Sequence, residues 1–153
     1  MAEENKDSIQ NILAHSYLSY FIFSFIGLFV DTLIGFNIYV KYSNTIAIWC
    51  FFVGSLLILW AQYTSGKAVQ QNGTKQSPYF LRGPYRYVRN PTHLGIVILV
   101  AGYTLVSGSL VFFFVTLIGY LTSNVFFKEY ESVLYTTYGD EYKEYKSKTP
   151  KIL

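Results

Sequence analysis

Long apolar segments alternate with short polar ones along most of the chain. A helix needs about 20 mostly apolar residues to cross a hydrocarbon core about 30 Å thick. Residues 12–30 and 46–63 each form a segment of this kind. A third apolar stretch, residues 94–127, is too long for one ordinary span, because a helix of that length would extend about 51 Å. We therefore predict that this stretch folds into two helices, which gives about four spans.

Residues that favour turns and helix ends mark the limits of this short helical hairpin. The Ser-Gly-Ser sequence at 107–109 lies near the middle of the stretch and predicts the turn. Asn90 can cap a helix and Pro91 is favoured at the first helical position, so the third helix is expected from Pro91 to about residue 106. The fourth helix is expected from about residue 110 into the cytosol, since no helix breaker occurs before Gly139.

The pattern predicts an all-α fold: a polytopic transmembrane helical bundle that ends in a cytoplasmic C-terminal helix. We treat residues 1–153 as a single domain, with the two N-terminal spans in residues 1–63.

Asp31 leaves two interpretations of the first span open. The span could run from Tyr17 to Val40 with Asp31 inside it, where a carboxylate would be a functional candidate. Otherwise Asp31 lies at the membrane surface and an interfacial turn follows it. We favour the second interpretation.

The composition excludes several classes of protein. The 153 residues are 52% hydrophobic and only 14% charged, whereas a soluble domain carries roughly 25% charged residues. A disordered chain would need low hydrophobicity. The single cysteine and the lack of a Cys/His cluster predict no metal site. The net charge of +3 comes without a nucleic-acid-binding signature, so we expect an integral membrane protein with no nucleic acid partner.

The basic residues predict the orientation in the membrane. With four spans, Lys41 is the only basic residue on one side, and all the others share the opposite side. These are Lys6, Lys67, Lys75, Arg82, Arg86, Arg89, Lys128, Lys143, Lys146, Lys148 and Lys151. Because cytoplasmic loops carry the excess of lysine and arginine, both termini are expected in the cytoplasm.

Two polar segments on this side hold the candidate chemistry. Residues 83–95 combine Arg86, Arg89 and His93 with a helix start, whose unpaired N–H groups suit an anion. Residues 128–145 hold Glu129 and Glu131, which point to different helix faces. Spacing alone favours structural roles for both segments. The first would be an anchor for lipid phosphates, and the second an amphipathic helix at the membrane surface.

Residues 83–95, read as GPYRYVRNPTHLG, resemble the signature of small integral membrane methyltransferases. This family includes the isoprenylcysteine carboxyl methyltransferases and the phospholipid N-methyltransferases. Residues 130–150 are similar to its second conserved block, with Glu131 at the second glutamate, followed by Tyr138-Gly139, Tyr142 and Pro150. The resemblance covers about residues 60–150.

The resemblance implies a helical bundle with a cytoplasmic pocket for S-adenosylmethionine, open sideways to the bilayer, in residues 64–153. It implies catalytic roles for Arg89, His93 and Glu131. The cofactor-binding residues that it implies are Tyr85, Arg86, Asn90, Pro91, His93, Leu94, Gly95, Gly102, Glu129 and Glu131.

The chain departs from the family pattern at three positions. Asn90 replaces the commoner histidine, His93 stands where tyrosine is usual, and Tyr130 replaces the first glutamate of the pair. Glu129, one position earlier, points about 100° away on a helix. The loss of a carboxylate at position 130 predicts weaker or different cofactor binding.

The function implied is methyl transfer to a lipid-linked or small hydrophobic acceptor in the membrane. A carboxylate acceptor could be held by Arg86 or Arg89, and an amine could lose its proton to Glu131 or His93. A thiol acceptor would need a group that promotes its deprotonation to the thiolate. The alternatives are an NADPH-dependent reductase similar to membrane sterol reductases, and a relative that binds lipid or a partner without catalysis.

Overall fold

The computed structural model describes residues 2–35, 38, 43–70 and 78–151. Five helices form the fold in this part of the chain: α1 (Ala2–Ile34), α2 (Ser43–Gln70), α3 (Pro91–Ser107), α4 (Leu110–Tyr138) and α5 (Asp140–Lys148). Two short 3-10 turns, Tyr79–Leu81 and Gly83–Arg86, connect α2 to α3. No strand occurs in the described ranges, and the predicted all-α fold is confirmed.

Three segments are long and apolar enough to cross a membrane, namely Ala14–Ile34, Ser43–Gly66 and Leu110–Tyr138. Helix α3 is apolar but shorter, with 17 residues. Large apolar side chains such as Phe29, Leu33 and Val125 are mostly exposed on the outside of the bundle. Such a surface suits hydrocarbon, because without lipid it would be a large exposed apolar patch.

The predicted hairpin between α3 and α4 is confirmed. Gly108 follows α3 with a φ of 67°, a left-handed conformation that glycine adopts at little cost, and its N–H donates to Thr104 O. The Ser109 side chain then accepts a hydrogen bond from Phe112 N and caps α4. Helix α4 continues to Tyr138 and ends at Gly139, as the sequence predicts.

The helices pack as two pairs, α1 along α4 and α2 along α3, while α3 and α4 contact each other sparsely. In the first pair a Cβ on Gly119 would lie 2.8 Å from Phe23 Cβ. In the second pair Gly54 and Gly95 face each other, and a Cβ on either would lie 2.9 Å from the other's carbonyl oxygen. Small residues thus bring the helix backbones together, as is common in membrane bundles.

Asp31 lies in the last turn of α1, which ends three residues later at Ile34. Its carboxylate accepts a hydrogen bond of 2.5 Å from Ser109 Oγ, so the end of α1 is bound to the turn between α3 and α4. We call this end of the bundle the Asp31 end. The described residues do not include 36, 37 and 39–42, so most of residues 36–40, the end of the alternative span to Val40, is outside them. Lys41 and Lys75 also lie outside the described residues.

Candidate functional site

The opposite end of the bundle, here called the Arg89 end, brings together the two polar segments singled out in the sequence. Gly83 begins the second 3-10 turn with a φ of 54°, and a Cβ on it would collide with the Thr64 side chain of α2. Asn90 then caps α3 by accepting a hydrogen bond from His93 N at 3.4 Å, with Pro91 at the first helical position. The chain therefore enters α3 directly after Arg89.

Arg89 and Glu131 are the centre of the candidate site. Arg89 Nη1 donates to Glu131 Oε1, and the two side chains are 12% and 10% exposed. Lys146 Nζ of α5 lies 2.8 Å from the other carboxylate oxygen, Oε2, and its side chain is 50% exposed. The backbone N–H of Arg89 donates to Pro150 O at 3.3 Å. Thus α3, α4 and the C-terminal segment meet at one carboxylate.

The charge at this site is positive on balance. Glu131 faces Arg89 and Lys146, and Lys151 lies nearby with its ammonium 5.0 Å from the Phe127 ring centroid. Partial burial lowers the pKa of Lys151 from its usual value, with the neighbouring carboxylate of Glu131 opposing the shift. Arg89 Nε is buried and makes no hydrogen bond in the described structure.

His93 is buried in the first turn of α3, between α1 and α4. Its Nε2 lies 2.7 Å from Ser16 Oγ, and the rings of Tyr17, Tyr20 and Phe127 surround it with centroids 5.4, 5.5 and 6.1 Å away. Nδ1 is buried and makes no hydrogen bond to any described residue. The His93 ring is therefore held in place with one buried nitrogen that makes no hydrogen bond in the described structure.

A cluster of aromatic rings closes the site on the side of α5. Tyr130, the residue in place of the family's first glutamate, is buried in this cluster, and its hydroxyl contacts that of Tyr79. Tyr145 Oη donates to Tyr85 O at 2.7 Å. Burial raises the pKa of Tyr85, Tyr142 and Tyr145 above the usual value, because a phenolate would lose hydration there.

The structure brings together some of the residues that the sequence predicts and separates others. Arg89, Asn90, Pro91, His93 and Glu131 meet at the start of α3, beside the buried Tyr85 and the half-buried Leu94. Arg86 and Glu129, in contrast, have exposed side chains.

Gly95 and Gly102 lie on the face of α3 that packs against α2. A Cβ on Gly95 would lie 2.5 Å from Ile58 Cγ1, and one on Gly102 would lie 3.0 Å from Cys50 Cβ. In the structure, both glycines allow α2 and α3 to approach closely. The predicted contacts of Gly95 and Gly102 with the cofactor stay a prediction.

Sequence reasoning missed Lys146, Lys151 and the residues of α1. The sequence indicates Lys146 and Lys151 only as basic residues of the tail, and Ser16 lies within the apolar segment 12–30. The Ser16–His93 contact joins residues 77 positions apart. No local spacing indicates such a contact, because Ser16 is one of three serines, with Ser19 and Ser24, in the apolar segment 12–30.

Among the described residues, no group of three or more His, Cys, Asp or Glu side chains could hold a metal ion. A protein-family model described as phospholipid methyltransferase matches residues 42–141, roughly two thirds of the chain. No curated protein and no solved structure matches the chain.

Proposed function

The chain belongs to the phospholipid methyltransferase family, and we propose that it is an integral membrane enzyme that transfers a methyl group from S-adenosylmethionine to a lipid-borne acceptor. The observation that carries this proposal is the buried Arg89–Glu131 pair, which joins the two sequence blocks that resemble the family. The orphaned Arg89 Nε and His93 Nδ1 beside it are polar atoms that a ligand would satisfy.

The residues at the Arg89 end suit the polar groups of S-adenosylmethionine. Glu131 is the carboxylate there, and it would hold the ammonium of the methionine part. Arg89, with an unpaired Nε, would hold the carboxylate of that part through charge-assisted hydrogen bonds. The neighbouring rings of Phe127 and Tyr130 would pack against its apolar and aromatic surfaces.

When bound, S-adenosylmethionine supplies a methyl group on a sulfonium sulfur, which leaves as a neutral thioether as the acceptor's lone pair forms the new bond. The protein then needs mainly to hold donor and acceptor in line, about 3–3.5 Å apart, and to exclude water. Glu131 and Arg89 fix one end of the donor. The rings around His93 keep water from the transfer.

His93 is the group here best placed to act on the acceptor. It is held by Ser16, and its buried Nδ1 makes no other described contact. As a neutral imidazole it could accept a hydrogen bond from the head group of the acceptor. The excess of Arg89, Lys146 and Lys151 over Glu131 favours an acceptor that also carries an anionic group, such as a carboxylate or a lipid phosphate.

We also propose that both termini face the cytoplasm, so that the Arg89 end meets cytosolic S-adenosylmethionine. The support is the distribution of basic residues, of which Lys41 alone falls on the opposite side. A fluorescent protein fused after Leu153 should be digested by protease added to the cytosolic side of sealed vesicles. Protection of that fusion until detergent is added would overturn the orientation.

Calorimetric titration of the protein in nanodiscs with S-adenosylmethionine, and separately with NADPH, tests the function. We expect saturable binding of S-adenosylmethionine that is lost in Glu131→Gln. Binding of NADPH alone would overturn the proposal in favour of a reductase. Binding of neither, by protein that retains its helical circular dichroism, would favour a non-catalytic relative, for which Tyr130 in place of glutamate would be the reason.

A further inference from the structure

A cavity of about 130 Å³ lies within the bundle, between α1, α3 and α4. Its walls include Tyr20 of α1, Val97 and Ala101 of α3, and Phe113, Thr116 and Leu117 of α4. The Thr116 hydroxyl donates to Phe112 O in its own helix, so it adds no free donor to the cavity. Apart from the hydroxyls of Tyr20 and Tyr120, the lining is hydrocarbon and aromatic, which suits an apolar occupant better than water.

The pairing of the helices explains why this space exists. Helix α1 packs along α4 and α2 packs along α3, so the gap between α3 and α4 is left without a helix to fill it. Phe113 and Leu117 are each 40% exposed, whereas Tyr20 and Thr116 are 4% and 2% exposed. The cavity therefore leads from the lipid-facing surface into the interior of the bundle.

The cavity and the candidate site share a wall. Val97 follows His93 by four residues and Ala101 by eight, so all three lie on nearly the same face of α3. The Tyr20 ring, which lines the cavity, packs on the His93 ring with centroids 5.5 Å apart. A ligand whose apolar chain lies in the cavity would therefore extend from His93 toward the Asp31 end. Its polar group would lie at the other end of the chain, nearest Arg89 and Glu131.

We propose that this cavity holds part of one hydrocarbon chain of the methyl acceptor, an inference that rests on the proposed function. A protein cavity of about 150 Å³ accommodates benzene, so the volume here admits a chain segment of about six carbons and not two chains side by side. A second chain of a two-chain lipid would remain in the bilayer. The cavity sets which chain enters and how far the reacting head group is drawn toward His93.

Photocrosslinking in nanodiscs tests this without knowledge of the head group. The probe is a lysophosphatidylcholine whose single acyl chain carries a diazirine. It is added to phosphatidylcholine nanodiscs that contain the full-length protein. Mass spectrometry then maps the labelled residues. We expect labelling of the peptide containing Tyr20, whose side chain is only 4% exposed and so is shielded from surrounding lipid.

Two substitutions and a matched control give the expected changes. Ala101→Phe fills the cavity and should reduce labelling at Tyr20 at least several-fold. Val106→Phe, on the lipid-facing surface of the same helix, adds a ring of the same size outside the cavity and should leave labelling unchanged. Leu117→Phe narrows the entrance at a half-exposed position and should also reduce labelling, so the test does not depend on Ala101→Phe folding.

The proposal is overturned if Tyr20 is unlabelled in the wild type, or if neither Ala101→Phe nor Leu117→Phe lowers its labelling relative to Val106→Phe. S-Adenosylmethionine titrations of the same nanodiscs keep the two proposals apart. If the protein is labelled at Tyr20 but binds no S-adenosylmethionine, the cavity is still a lipid-chain site, but the protein is not a methyltransferase.

Discussion

Arg89 and Glu131 lie 42 residues apart in the chain and form an ion pair that is almost nine-tenths buried on both sides. The pair links the segment that precedes α3 to α4, and Lys146 of α5 binds the same carboxylate. A buried pair of this kind costs much to desolvate, and loss of one partner leaves an uncompensated charge. We therefore expect stability and the proposed ligand binding to depend on the same two side chains.

We predict that Glu131→Gln destabilises the protein by about 3–5 kcal/mol, because it leaves the Arg89 charge buried and unpaired. Arg89→Gln should destabilise it less, because Lys146 still pairs with Glu131. The double variant should be less destabilised than the sum of the two. Binding of S-adenosylmethionine should be lost in all three. Thermal unfolding in detergent and calorimetry measure these effects.

Glu144→Gln is the matched control, since Glu144 pairs with Lys148 on an exposed surface. It should leave both the melting temperature and cofactor binding nearly unchanged. If the changes in the free energy of unfolding caused by the Glu131 and Arg89 substitutions simply add in the double variant, the two residues are not directly coupled.

Lys146→Gln should strengthen binding of S-adenosylmethionine. In the structure the Lys146 ammonium lies 2.8 Å from Glu131 Oε2, where it competes with the ammonium of the ligand. A half-exposed pair is worth at most about 1 kcal/mol, so we expect up to about a five-fold decrease in the dissociation constant. Calorimetry measures it, and Lys148→Gln, a change of the same kind in the same helix, is the control. Weaker binding in Lys146→Gln would instead assign Lys146 to the carboxylate of the ligand.

The sequence was sufficient to predict the fold because its determinants are local. Stretch length indicated that residues 94–127 fold back on themselves, and Gly108 marked the turn. Asn90 and Pro91 placed the start of α3, and Gly139 the end of α4. Each of these residues acts through its own backbone conformation or its nearest N–H groups, so no knowledge of tertiary contacts was needed.

The site was predictable only where the family motif carried it. Arg89 and Glu131 followed from the two sequence blocks, whereas Ser16 and Lys146 reach the site through contacts between distant elements. Arg86, in contrast, was predicted for the site but lies outside it. It shares the motif with Arg89, yet its side chain is exposed because the 3-10 turn directs it away from the bundle. Residue type and spacing do not encode these orientations.

Alkaline unfolding should report on the tyrosines of α5. An unfolded tyrosine ionises near pH 10, whereas burial raises the pKa of Tyr142 and Tyr145. Above about pH 10 the folded chain therefore binds more protons than the unfolded chain, so stability falls as the pH rises. Melting temperatures between about pH 9 and about pH 11 should show this decline, and Tyr142→Phe should make it shallower. Tyr87→Phe, at an exposed ring, is the control; equal slopes in the two variants would contradict the assignment.

Gly95→Ala should destabilise the bundle by about 1–3 kcal/mol, the usual cost of overpacking. The added Cβ would lie 2.5 Å from Ile58 Cγ1 and 2.9 Å from Gly54 O, and the carbonyl cannot move without shifting α2. Gly66→Ala is the matched control, because Gly66 lies in α2 with nothing within 4 Å of the added Cβ. Alanine there should stabilise the helix by roughly 0.5–1 kcal/mol, since glycine is the poorer helix former. Melting temperatures that fall for Gly95→Ala and rise for Gly66→Ala would support close α2–α3 packing, and a rise for both would show that α3 does not approach α2 at Gly95.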